Sequence, residues 1–230
     1  MVIGGLQKLT LLDFPEHVAC SVFLKGCNFC CPFCYNSSLI DAEDTSNFIS
    51  KEELFNFLRK RKGILDGVAI TGGEPLLQKD IVKFIKEIKE LGFQVKLDTN
   101  GSSFEILQLL IEERLVDYVA MDIKNTFKKY PLTAGCACNI ENIKKSINLL
   151  LEGKVNYEFR TTVVKELHDE TDFELIGQMI KGAKKYFIQS YIQKESVIDQ
   201  KLHAHSKEKL EEFLNIVSKY VEYASLRGID

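Results

Sequence analysis

An α/β fold of parallel strands, in the form of an open, partial barrel of six βα units, is predicted by three observations on this 230-residue sequence. Six short apolar segments are each followed by a stretch of helical periodicity. Glycines and capping residues punctuate the joins. The residues able to do chemistry fall at the ends of the apolar segments. Alternation of this kind implies right-handed crossovers and one parallel sheet. Six units are too few to close an eight-stranded barrel; a doubly wound sheet fits the same alternation and is the competing arrangement.

The expected strands are residues 18–25, 67–71, 94–98, 118–123, 157–164 and 186–192, each short, apolar and bounded by turn residues. Among the helices, 80–91 is the clearest. Ile81, Phe84, Ile85, Ile88 and Leu91 make one apolar stripe, and Gly92 stops it. Ser50/Glu53, Ser102/Glu105 and Thr171/Glu174 have capping-box spacing, in which each side chain satisfies a free backbone amide. Further helices fit 140–151, 171–180 and 206–217, and a last strand-like piece, VEYASL, follows. No Pro/Gly/Ser-rich linker divides the chain. The expectation is therefore one domain over 1–230, with a lead-in at 1–17, six βα units over 18–217 and a C-terminal extension at 218–230.

Hydrophobic residues make up 45% of the chain, enough for a sizeable core. The charges nearly cancel at −3, so no basic face for nucleic acid is expected. The opening MVIGGLQKLTLLDF lacks the build of a signal peptide, and no apolar run reaches membrane-spanning length. A cytoplasmic location follows as the expectation. Thiols stay reduced there, so clustered cysteines point to metal or catalysis rather than to disulfides.

Polar motifs recur at successive strand ends. The cysteine-rich LKGCNFCCPFCYN follows the first strand, TGGEP ends the second, DTNG the third and MDIK the fourth. RTT lies in the fifth, and Gln189 and Gln193 flank the end of the sixth. Each could be a simple turn or a solvated charge pair. Together they point at one mouth, because ligands of parallel α/β folds bind where the carboxyl ends of the strands converge. Cys27, Cys30, Cys31 and Cys34 lie within eight residues. Zinc sites usually draw CxxC pairs from two knuckles separated by a loop, and here no loop separates the pairs. An iron–sulfur cluster suits thiolates crowded on one winding segment better.

The spacing Cys27-x3-Cys31-x2-Cys34, with Phe33 before the last cysteine, resembles the CxxxCxΦC signature of radical S-adenosylmethionine enzymes. GGE at Gly72, Gly73 and Glu74 and the partial barrel extend the resemblance over nearly the whole chain. It implies a [4Fe–4S] cluster held by Cys27, Cys31 and Cys34, with one iron open to the amino and carboxylate groups of S-adenosylmethionine. Reductive cleavage then yields a 5′-deoxyadenosyl radical. Cys30 departs from the family, where a basic residue is common, and is read as a free thiol. The resemblance further implies that the glycines expose backbone to the methionyl amine, that Glu74 receives that ammonium, and that Phe33 borders the adenine. Asp98, Thr99, the Met121 carbonyl and Asp122 would hold a monovalent cation beside the cofactor carboxylate, with Lys124 paired to that carboxylate and Arg160 facing the cofactor.

His203, His205 and His168 are expected at the surface, and Cys136 and Cys138 as free thiols. The segment 37–50 contains no cysteine, so the ferredoxin-like insert of some relatives is expected to be missing.

IGGLQK, LDTNG, DYVAMDIK and YEFRTTVVKELHD resemble the activating proteins of anaerobic ribonucleoside-triphosphate reductases. Glu16, Cys30 and Tyr35 are departures, standing where a glycine, a basic residue and a histidine are frequent. The implied activity is hydrogen abstraction from a glycine of a partner glycyl radical enzyme, with a flavodoxin or ferredoxin as electron donor. A pyruvate formate-lyase type activase, or a radical enzyme with another substrate, shares the same cofactor residues.

Overall fold

The computed structural model describes residues 1–41 and 48–229. Eight strands form one sheet in chain order, and its first and last strands are not paired with each other. The six expected parallel strands are present as β2 (Ala19–Leu24), β3 (Gly67–Gly72), β4 (Gln94–Thr99), β5 (Tyr118–Asp122), β6 (Asn156–Val163) and β7 (Tyr186–Ser190). The lead-in adds an antiparallel edge strand, β1 (Ile3–Thr10), and the extension adds a parallel one, β8 (Ala224–Arg227). The sheet is thus an open, partial barrel with one extra strand at each side.

The helices between the strands are α1 (Lys51–Arg61), α2 (Ile81–Glu90), α3 (Phe104–Glu112), a short α4 (Tyr130–Ala134), α5 (Ile140–Leu151), α6 (Glu170–Met179) and α7 (Lys207–Val217). The α2 stripe is buried at Ile81, Phe84, Ile85 and Ile88, as its spacing requires. Ser50 caps α1 through the complete Ser50/Glu53 box.

The other two boxes form differently. At α3 the cap position is Ser103 and makes no side-chain bond, because the Ser102 hydroxyl accepts Asn28 Nδ2 at 3.0 Å instead. At α6 the box is Asp169/Asp172, two residues earlier than Thr171/Glu174. The acidic cap also binds the Lys129 ammonium, which a threonine there would not do as well.

The floor of the barrel is apolar. Phe14, turned under the sheet by the β1–β2 connection, packs with Ala19 and Tyr118, and His17 stacks on its ring at 4.2 Å. Glu16, in that same turn, has φ 67°. A left-handed backbone favours glycine, so this is the conformation that makes a glycine natural at that position. Residues 42–47, part of the segment expected to lack a ferredoxin-like insert, lie outside the described residues.

Candidate active site

The cysteine loop is built on backbone. Lys25 N donates to Val2 O, Gly26 N to Leu39 O at 2.7 Å and Cys27 N to Ile40 O at 3.1 Å. Gly73 N donates to Leu24 O and Glu74 N to Gly26 O, both at 2.8 Å, so the TGGEP turn is laced to the base of the cysteine loop. A Cβ on Gly73 would stand 2.2 Å from Gly26 O, and the second glycine of GGE is therefore required by this close approach. On the other side, Cys30 N donates to Ala134 O at 2.9 Å. There a Cβ on Gly135 would meet Cys30 O at 2.1 Å. The bracing of the loop by α4 and Gly135 has no local signature in the chain, because Cys30 and Ala134 lie far apart along it.

Cys27, Cys31 and Cys34 converge. Each lies within electrostatic reach of Lys124, and Cys31 senses both other thiols. Cys30 is exposed. Burial pushes the Cys27 thiol up to about 11 and Cys31 up to about 12, and raises Cys34 as well, despite the neighbouring Lys124. Thiols so held keep their protons at neutral pH unless a metal displaces them. The donor set therefore fits a thiolate-bound metal cluster. Phe33 is buried beside these cysteines, with Lys124 Nζ 5.9 Å from its ring centre.

The other half of the mouth is charged. β4 and β6 aim alternate residues inward, which stacks Lys96 beneath Asp98 and Glu158 beneath Arg160. Arg160 bridges two strands, with Nη1 3.2 Å from Asp98 Oδ2 and both Nε and Nη2 2.9 Å from Asp122 Oδ1. Lys124 Nζ is 3.0 Å from Asp122 Oδ2, and Lys96 Nζ contacts Asp98 Oδ1. Although burial opposes ionisation of both aspartates, Arg160 with Lys96 holds Asp98 low, and Arg160 with Lys124 brings Asp122 down to about 2. The same carboxylates raise Lys124 and Arg160 above their ordinary values against their own desolvation.

Glu74 is 1% exposed. Its carboxylate accepts Leu76 N at 3.1 Å, the Thr99 hydroxyl at 2.8 Å and Asn100 N at 2.6 Å, clamping TGGEP to DTNG. Burial raises its pKa to about 7. Its oxygens are thus engaged in joining two loops, and the Thr99 hydroxyl is engaged with Glu74.

The oxygen set expected for a monovalent cation does lie on adjacent strands, with Thr99 and Met121 in register. Asp98 and Asp122, however, already face three side-chain cations. As arranged, these residues do not fit a further cation.

Three placements differ from expectation or were not foreseen. His168 is buried rather than at the surface. Val164 N donates to its Nδ1 at 3.2 Å, so Nε2 carries the hydrogen and donates to the Lys124 carbonyl at 2.8 Å. Desolvation lowers its pKa, in keeping with a neutral ring. The long connection 191–206 folds back over the cysteine loop. Asp199 N donates to Pro32 O at 2.9 Å, the Ser196 hydroxyl to Tyr35 O at 2.6 Å, and Lys194 lies over the Tyr35 ring at 4.7 Å. Gln193 turns to Gln200, within the same connection. His203 is exposed against Glu166, and His205 is half-buried with Nε2 3.1 Å from the His168 carbonyl. Cys136 bonds the Asn28 carbonyl at 3.2 Å, and Cys138 the Cys136 carbonyl.

Three thiols on one loop, Cys31 buried and Cys27 and Cys34 half-buried, beside a charged carboxylate-and-guanidinium network agree with the matches to known proteins. The Radical SAM superfamily pattern matches residues 21–176. The chain belongs to the radical SAM superfamily. It is 35% identical, over its full length and 97% of the relative's, to the "Putative glycyl-radical enzyme activating enzyme" of Methanocaldococcus jannaschii. Its fold is similar to a domain of pyruvate-formate lyase-activating enzyme from Bacteroides vulgatus. That match has a TM-score of 0.59 and 19% identity, over 70% of this chain and 99% of that one. It is also similar to Streptococcus suis SuiB bound to S-adenosylmethionine, at TM-score 0.66 and 15% identity over 90% of this chain and 51% of that one. This radical SAM enzyme is therefore one whose family uses a [4Fe–4S] cluster and S-adenosylmethionine. Among the described residues no helix is long and apolar enough to cross a membrane.

Proposed function

We propose that this radical SAM enzyme activates a partner glycyl radical enzyme by removing a hydrogen atom from one of its backbone glycines. The partner we favour is an anaerobic ribonucleoside-triphosphate reductase. The observation that carries the reading is the full-length similarity to a relative named for that class of activity. The IGGLQK lead-in, LDTNG and DYVAMDIK motifs favour the reductase as the partner.

When bound, the cluster supplies the electron that breaks a carbon–sulfur bond of S-adenosylmethionine. Cys27, Cys31 and Cys34 would hold it, each giving up a thiol proton that burial otherwise retains. Lys124 and Arg160 would orient the cofactor carboxylate, with Asp122 fixing both cations in place. The clamp of Glu74 on Thr99 and Asn100 would hold the mouth's glycine turn and DTNG at a fixed separation. Phe33, beside Lys124, would lie next to the adenine.

The open sheet leaves room at the side of the mouth for a loop of a protein substrate. A flavodoxin or ferredoxin would deliver the electron, and the cytoplasm would keep the seven cysteines reduced. Anaerobic mixing of cluster-loaded protein, reductant, S-adenosylmethionine and the candidate reductase should give a glycyl radical doublet by electron paramagnetic resonance. Cleavage of S-adenosylmethionine without any radical on the partner, or deuterium transfer from a small substrate into 5′-deoxyadenosine, would overturn the assignment.

A further inference from the structure

Lys96 is the least expected residue of the mouth. It lies in the middle of β4, is 3% exposed on its side chain, and contacts Asp98 Oδ1. Taking an ammonium out of water is costly, so a lysine inside a barrel needs both a partner and a reason. Asp98 supplies the partner. The reason follows from the charges around it. Lys96, Asp98, Arg160, Asp122 and Lys124 form one chain of direct contacts with three cations and two carboxylates. The neighbouring Glu158 and Arg227, whose guanidinium nitrogens lie 2.6 and 3.0 Å from the carboxylate, form a pair of their own and add no net charge.

The chain of contacts thus carries one positive charge more than it can neutralise. One incoming carboxylate would balance it. A metal ion placed among Asp98, Thr99 and Asp122 would instead double the excess and would have to displace Lys96 or Arg160 from oxygens they already hold. Accessibility is graded in the same sense. Lys96 lies deepest, and Arg160 and Lys124 keep 14% and 15% of their side chains exposed at the strand ends, where an anion would arrive.

We propose that the Lys96 ammonium is a built-in replacement for a monovalent metal cation, so that this enzyme binds S-adenosylmethionine without potassium or sodium. Lys96 acts here as a positioning residue: it neutralises Asp98 from below, so that the positive excess stands at Arg160 and Lys124, where the cofactor carboxylate arrives. The proposal rests on the reading that the mouth takes S-adenosylmethionine and is independent of which partner is activated.

The test is equilibrium binding of S-adenosylmethionine to the oxidised, cluster-loaded protein, followed by the change in the cluster's spectrum. It is run at one ionic strength in tetramethylammonium, sodium or potassium chloride. The wild-type dissociation constant should vary by less than about twofold among the three salts, whereas dependence on a bound ion would give about tenfold or more. Lys96→Ala should bind about tenfold or more weakly in tetramethylammonium and recover when potassium is added, a response that loss of a merely structural ion pair would not show. Lys96→Gln is the second variant should the alanine protein not fold, and the wild-type salt series decides without any variant. Tightening of wild-type binding by potassium or sodium, or a Lys96 variant with wild-type affinity in every salt, would overturn the proposal. Absence of S-adenosylmethionine binding in all three salts would remove the cofactor reading itself, and the proposal with it.

Discussion

The two halves of the mouth are prepared in opposite ways. On the β2 side, Cys27, Cys31 and Cys34 are uncharged thiols held up by burial, on a loop whose position is fixed by backbone bonds to Leu39, Ile40, Ala134 and Glu74. On the β4–β6 side, Lys96, Asp98, Arg160 and Asp122 are already joined as ion pairs. The thiol half is incomplete until a metal takes its protons. The charged half is complete in the folded chain and offers one unbalanced positive charge. The difference teaches that this chain assembles its electrostatics before its cofactors arrive, and leaves only the metal ligands to be formed on loading.

The largest effect expected from this contrast is at the thiols. Alanine at Cys27, Cys31 or Cys34 should abolish the cluster's visible absorbance and most bound iron, while Cys30→Ala retains both. Loss of the cluster in Cys30→Ala with retention in Cys31→Ala would show that the ligand set is wrong.

Next comes Arg160→Met, which leaves Asp98 with Lys96 and Asp122 with Lys124 but removes the guanidinium bridge between them. Breaking a buried pair by removing one partner costs up to about 3–5 kcal/mol, and the two remaining ammonium groups hold the loss below that, to be read as a lower urea midpoint. A variant as stable as the wild type would mean that the charged half is not pre-assembled.

Glu74 sharpens the comparison through pH. Its folded pKa, near 7, lies above the ordinary 4.5, so the folded state binds more protons across that interval. Its contribution to stability must therefore fall as pH rises from about 4.5 to about 7, by about 3 kcal/mol in total. Asp122, lowered to about 2 from 3.8, has the opposite sign, and its contribution is lost only as pH falls below about 4. Urea melts at about pH 5 and about pH 7.5 should show a decline in the wild type that Glu74→Gln flattens, and an unchanged slope would refute the assignment. The smallest effect is remote from the mouth. Glu16→Gly relieves a left-handed residue and should raise stability by about 1 kcal/mol without altering cofactor binding.

Much of this arrangement was legible in the residues, and the reason is locality. TGGEP, DTNG and MDIK sit at strand ends because each motif adjoins its strand in the chain, and one buried strand with one helix fixes both. The three-cysteine spacing is local for the same reason. What sequence patterns miss is what distant packing decides. The β1 strand carries few buried side chains and exists through its pairing with β2. His168 looks polar beside Asp169, yet its ring is enclosed by α6 and by the end of β5. Lys96 did leave a signal: a lysine in the middle of VKLDT, two residues before an inward aspartate, must share its face. The competing caps at α3 and α6 were settled by Asn28 and Lys129, which lie 74 and 40 residues from the serine and aspartate they contact.

His168 also links regions far apart in the molecule. Its ring contacts Phe173 of α6, which stacks at 4.3 Å on Phe213 of α7, while its Nε2 grips the carbonyl of Lys124. A row of rings thus runs from the outermost helix to the residue shared by all three thiols. Loosening α7 would shift the ammonium they share, so the outer wall and the reactive centre should melt as one cooperative unit.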